Sequence, residues 1–461
     1  MSDIGTVQMI DLKGDYKTGF ALDAWYGIEW DITAPACAIT RIGRADLVAA
    51  QPIYQKIRFA LVNNDRSINY YLDKSNHNLR ESGAASDLSG ASGQVMGILP
   101  AFYYLFESEG NKRRLKISDY ALPGYAAFKR TGVGKYLCSI DGGGLMASVT
   151  GVLPAVNYAC SFAALSFGIR ARNRGTGWNP VSEFQDLQLQ ILELVYTANF
   201  NAQTAISAGA TNDDGGWSFR GYGGIKNNGL SNSYGDYTGS IPFIVTDWFK
   251  GTVSALSANK CIHTGRFATA WNAAFIGMTI KNTVTNATAT IISKDSNDQI
   301  TISADIFTAI GQTFTIIAST FATQSAIFAG FEDYFGHLYQ WLPGLLVNYS
   351  AIAEAFRCKD ASKMADSITA DFVKVGEMPM VDGYVTSLIP GTMLPLTVGG
   401  SSATYMADYY YHSGSAGVRI VLSRGSLNDG ANAGPRFVIA SFAPGFASSN
   451  VSARLGLTFA D

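Results

Sequence analysis

The chain has 461 residues, 47% apolar and only 15% charged, with 34 basic side chains against 36 acidic ones. So little charge excludes a solvated, disordered tail, and so even a balance leaves no electrostatic footprint for nucleic acid. Glycine numbers 48, tyrosine 23 and phenylalanine 26, a composition suited to many short strands joined by ordered loops.

Residues 1–24, beginning MSDIGTVQMIDLKGDYKTGF, are polar and broken by glycine, and they are read as an N-terminal arm. They hold no apolar run of signal-peptide type, and no window of the chain approaches the roughly 20 apolar residues of a membrane span. Synthesis in a cytoplasm without membrane insertion is the expectation. Residues 25–250 are predicted to form a β-rich part. In it, VMGILPAFYYLFESEGNKRRLKIS (Val95–Ser118) places Ile98, Pro100, Phe102, Tyr104 and Phe106 at period two. After a turn, Leu115 and Ile117 alternate with Arg114 and Lys116. That pattern predicts a hairpin with one buried face, with Pro100 at a strand end.

NPVSEFQDLQLQILELVYTANFN is the strongest helical segment, with Asn179 as cap and Pro180 at the first helical position. Phe184, Leu187, Ile191 and Leu194 or Val195 make a core stripe. The loop Gly209–Ser240 follows, its rings Trp217, Tyr222, Tyr234 and Tyr237 set among Gly, Asn and Ser. Asp213 and Asp214 there are read as solvated turn carboxylates rather than a calcium site. Residues 251–325, rich in Thr and Ile, are expected to form an inserted all-β module. Ser350–Phe356 shows the next helical periodicity, and residues 326–461 otherwise read as loops and short strands.

Five cysteines, Cys37, Cys138, Cys160, Cys261 and Cys358, are scattered without zinc-type spacing and are expected to be reduced. The segment GFEDYFGHLYQWLPGLLV (Gly330–Val347) mixes a histidine, two acids and a tryptophan. His337 has no histidine at i,i+4, and the adjacent Glu332 and Asp333 are expected to point apart, so the segment is read as scaffold rather than a metal centre. No G-x-S-x-G or H-E-x-x-H arrangement is present, and Gly142-Gly143-Gly144 lacks the lysine of a phosphate loop. No catalytic residue, metal or cofactor is assigned, and the chain is not expected to be an enzyme.

Gly330, Asp333, Gly336, Tyr339 and Trp341, followed by Arg424-Gly425-Ser426 and then Arg454-Leu455-Gly456-Leu457, resemble the successive segments of the C-type-lectin-like fold. The likeness is to its formylglycine-generating-enzyme branch. His337 stands where that branch has Asn, and Leu427 where it has Trp. The cysteine pair of those oxidases has no counterpart in the last hundred residues. The calcium-and-sugar triplet of true C-type lectins is also missing. More narrowly, YYLD, DLSGASGQVMGILPAFYYLFE, NKRRLKIS, ARNRGTGWN, ANFNAQ, TYMADYYY and RGSLNDGANAG resemble, in order, segments of bacteriophage fibre and virion structural proteins that display this fold.

The resemblance implies an α+β, β-rich architecture. A C-type-lectin-like core would be split between residues 25–250 and 326–461, with an N-terminal β elaboration and the small β insert. It further implies a virion fibre or spike, a homotrimer, docked on other virion proteins through its arm and binding a bacterial surface glycan or protein. A purely structural head decoration or head–tail connector is the alternative, and an enzyme degrading surface sugar a third reading. The expected display surface comprises Tyr405, Tyr409, Tyr411 and His412, then Asn428, Asp429, Asn432 and Arg436, with Phe442 and Phe446 as an apolar floor. Ordinary readings compete: strand alternation would make Tyr409 and Tyr411 core, and Asn428-Asp429-Gly430 is also good turn chemistry.

Overall fold

A computed structural model describes residues 23–211, 226–244, 249–265, 267, 275–317 and 322–460, with the paired stretches Met9–Ile10 and Tyr16–Lys17. Trp217, Tyr222, Asp213, Asp214 and most of the N-terminal arm lie outside the described residues. The fold is β-rich and is organised by three sheets around one long helix.

The first sheet runs in the order Ala126–Phe128, Phe102–Glu109, Lys112–Ser118, Tyr26–Asp31, Thr40–Gly43. Its central hairpin buries Phe102, Tyr104, Leu115 and Ile117 on one face, as period-two alternation requires. The apolar run that precedes it is not one strand. Gln94–Leu99 belongs to a second sheet, and Pro100, which has no N–H to offer a ladder, falls in the crossing between the two.

The second sheet has the order Trp178–Pro180, Leu455–Thr458, Thr131–Gly134, Gln94–Leu99, Arg58–Val62, Ile68–Tyr71. Its strand Leu455–Thr458 therefore sits between two strands supplied by the first 180 residues.

The third sheet follows the path Val373–Met378, Ala353–Arg357, Tyr339–Tyr349, Gly417–Ser423, Val438–Phe442, Tyr409–Tyr411, Gly383–Leu388, Pro395–Val398. Val451–Ser452 pairs in parallel beside Tyr339–Gln340. The two end strands of the path lie against each other, so the sheet approaches a barrel. Ser350–Phe356, expected to be helical, instead leads into the strand Ala353–Arg357. Its alternating burial shows that the period is two.

The helix spans Glu183–Thr197, three residues later than the Asn-Pro signal suggests. Asn179 and Pro180 are held in a strand by pairing with Gly456 and Leu455. Ser182 is the cap, accepting from the Gln185 N–H while the Gln185 side chain accepts from the Ser182 N–H. Twelve of the helix's residues are buried, on every side rather than along one stripe. Three of them are acidic, and each meets an arginine of the third-sheet region. Glu183 lies 2.5 Å from Arg357 and Glu193 2.7 Å from Arg436, and Asp186 pairs with Arg424. Charges this deeply buried are tolerated only when paired and hydrogen-bonded.

A separate six-stranded sheet comprises Phe249–Thr252, Thr313–Ile317, Thr279–Asn282, Thr288–Lys294, Gln299–Ile302 and Lys260–Ile262. It has its own core of Val253, Cys261, Ile280, Ile291, Ile300 and Phe314. A two-stranded ladder, Gly239–Ile244 with Ala322–Ile327, leads into and out of it.

Candidate functional site

The strand Tyr409–Tyr411 runs between Gly383–Leu388 and Val438–Phe442. Tyr410, not its neighbours, is the core residue. Its hydroxyl lies 2.8 Å from that of Tyr349 and donates to the Pro379 carbonyl at 3.1 Å. Alternation then turns Tyr409 and Tyr411 to the opposite face, where both are half-buried. Their ring centroids lie 4.6 Å apart, and Tyr384, the cross-strand partner of Tyr409, meets it edge-on at 4.9 Å.

Asn432 ties this group together. Its carbonyl oxygen accepts from the Tyr384 hydroxyl at 2.5 Å, and its amide donates to the Tyr411 hydroxyl at 3.1 Å. Partial burial raises the hydroxyl pKa of both Tyr409 and Tyr411. The phenols are therefore neutral and able to donate near pH 7. Tyr384 was missed by the sequence reading, because its link to Asn432 spans 48 residues.

The loop carrying Asn432 is firmly seated. Gly425 has φ +71°, and a Cβ there would meet Ala433 Cβ at 2.5 Å, so the Arg-Gly-Ser turn needs glycine. Asp429 accepts from the Ser426 N–H at 2.6 Å and from the Tyr339 hydroxyl at 2.9 Å, and Asn428 accepts from the Ser426 hydroxyl at 3.1 Å. Asp429 and Asn428 thus act first as turn formers. Phe442 and Phe446 stack with centroids 3.7 Å apart and pack at the margin of the same core as Tyr409 and Tyr411. His412 binds Asp382, through Nδ1 at 2.6 Å and through its N–H at 2.8 Å.

Two expected display residues stand elsewhere. Arg436 is 1% exposed and spends its guanidinium on Glu193 and the Phe200 carbonyl. It cannot reach a ligand, because the helix carboxylate claims it. Tyr405, at φ +51°, lines a cavity of about 220 Å³ with Trp30, Ile39 and Phe200, on the side of the first sheet.

In the Gly330–Val347 segment, Trp341 is buried and Gly336 turns the chain at φ +72°. Glu332 and Asp333 do not point apart. Asp333 adopts φ +50°, and both carboxylates converge on Lys226 Nζ, at 2.5 and 2.7 Å. His337 Nδ1 lies 3.1 Å from Asp333. Burial pushes both carboxyls up, but Lys226 outweighs it and holds them below their ordinary range. The cluster is a buried ion group in which one lysine bridges two carboxylates. No trio of His, Cys, Asp or Glu placed to hold a metal occurs among the described residues.

No family model matches the chain, nor does any curated protein.

Proposed function

We propose that the chain is a bacteriophage virion fibre or spike protein, built on a C-type-lectin-like core, that binds a bacterial surface glycan or protein. The observation that carries the reading is the grouping of Tyr384, Tyr409 and Tyr411 on one half-buried face, with Asn432 fixing two of the three hydroxyls. Rigid aromatic faces with oriented hydroxyls and amides offer contact area at low entropic cost and stack well on sugar rings. The buried ion pairs Glu183–Arg357, Asp186–Arg424 and Glu193–Arg436, in contrast, support scaffold rather than catalysis.

Immunogold electron microscopy of phage particles, with antibody against this chain, tests the virion assignment. Label on projecting fibres or the tail is the expected result. Label confined to the capsid shell would favour a decoration or connector, and unlabelled particles would overturn the virion reading. Attachment is tested separately: purified protein should compete with phage for host cells, and the Tyr409→Ala/Tyr411→Ala variant should not.

A further inference from the structure

A groove lies between the first sheet and the turn of the third sheet at Ile389–Gly391. Its volume is about 480 Å³, within the range of small-molecule sites. Residues Ser108, Arg113 and Trp30 are direct cross-strand partners, and they form the next row after Phe106–Leu115–Ile28 on the same face of the sheet. The hairpin around Leu388 and Ile389 forms the facing wall.

Its chemistry is asymmetric. Trp30, Tyr104 and Phe106 supply ring surface, and Leu388 and Ile389 supply apolar floor. Glu107 is the one acid among the lining residues, and Lys116 already pairs with it at 2.6 Å. Three cations line the same space. Arg357 gives Nε and Nη2 to Glu183 and is neutralised. Arg113 touches only the carbonyl oxygens of Gly110 and Lys112 among the described residues, at 2.8 and 3.0 Å. Lys359 is exposed, lies 5.1 Å from the Phe184 ring centroid and makes no ion pair among the described residues; the neighbouring Asp360 carboxylate is taken by Ser362. Two uncompensated cations thus flank an aromatic floor.

We propose that this groove is a second binding site, for an acidic saccharide whose pyranose ring packs on the Trp30–Phe106 surface and whose carboxylate is held by Arg113 and Lys359. A guanidinium fork matches the planar carboxylate, and an aromatic face matches the C–H face of a sugar ring. The inference stands on the groove alone and does not depend on the tyrosine face or on a virion location.

The test uses the full chain and a tetrasaccharide of alternating glucuronic acid and N-acetylglucosamine, beside its carboxyl-reduced counterpart. Saturation-transfer NMR and calorimetry read the binding. The acidic form should bind and weaken with added salt, and the reduced form should bind roughly tenfold less tightly. Arg113→Gln/Lys359→Gln should lose about tenfold in affinity at unchanged melting temperature, whereas Tyr409→Ala/Tyr411→Ala should retain it. No binding of the acidic form, equal binding of both forms, or binding indifferent to the Arg113/Lys359 change would each overturn the proposal. If the double variant is less stable, the salt dependence and the acid-versus-reduced ratio of the natural protein still decide it.

Discussion

Arg436 Nη1 lies 2.7 Å from Glu193 Oε2, and neither side chain reaches solvent. The pair joins the central helix to the loop before Val438–Phe442 across 243 residues of chain. Replacing Arg436 with Leu leaves Glu193 charged and unpaired in the interior. That variant should lose about 3–5 kcal/mol of unfolding free energy in urea titration. Arg436→Leu/Glu193→Leu should recover a large part of the loss, since both charges then leave together. A single variant as stable as the natural protein would mean that the pair is not buried.

Asp408 gives a pH signature in the same region. Burial pushes its carboxyl from the ordinary 3.8 up to about 7, despite Arg436 nearby, because Glu193 holds that guanidinium directly while Asp408 stands 3.7 Å off. The folded carboxyl therefore binds a proton between about pH 4 and 7 where the unfolded one does not. Its contribution to stability is full below pH 4 and is lost as pH rises through 7. Asp408→Asn removes the dependence, so the stability of the natural protein relative to the variant should fall between pH 4 and 7, by roughly 3 kcal/mol at most. Denaturant titrations of both proteins at several pH values read this difference, and a flat difference would refute the assignment.

The three tyrosines in sequence should separate into two kinds. Tyr410→Phe removes a buried hydroxyl with two partners and should cost about 1–2 kcal/mol. Tyr409→Phe and Tyr411→Phe should stay within about 1 kcal/mol of the natural protein, because both rings are half-buried at a core margin. Thermal melts of the three variants test the parity of the strand, and the opposite ranking would show that it is reversed.

Thiol labelling offers an independent check on the cores. Cys138, Cys160, Cys261 and Cys358 are buried, and burial pushes the Cys138 thiol up to about 12, whereas Cys37 is partly exposed. Native protein should react quickly with a thiol reagent at one site, and denatured protein at all five. Fast native labelling of two or more cysteines would contradict the packing.

The Ser182 cap is likewise measurable. Ser182→Ala deletes an oxygen that serves the Gln185 N–H inside the protein, and it should lower stability by about 1–2 kcal/mol.

What could be read from the sequence was local. The hairpin Phe102–Ser118 declared itself because its alternation and its turn lie within one window. The errors share a different cause. Asn179-Pro180 carries a sound helix-start signal, but it is overruled by pairing with Leu455 and Gly456, some 276 residues away by number. Arg436 looked like a surface hydrogen-bonding residue because Glu193, which buries it, is equally remote. Lys226 could not be connected to Glu332 and Asp333, 106 and 107 residues on, from any local pattern. The tyrosine cluster was half legible: Tyr409, Tyr411 and Asn432 were singled out, but not Tyr384, which completes it.

The strand Leu455–Thr458 occupies an interior place in a sheet whose other members all precede residue 181. During synthesis, that slot stays vacant until Leu455–Thr458 has left the ribosome. The helix acids Glu183, Asp186 and Glu193 wait nearly as long for their arginines, since Arg424 and Arg436 also come late. The strands before residue 181 thus wait for a partner far along the chain, and a copy that stops before Leu455 lacks the piece that closes their sheet. Any copy that stops before Leu455 is therefore marked by its own exposed strand edges, at Thr131–Gly134 and Trp178–Pro180.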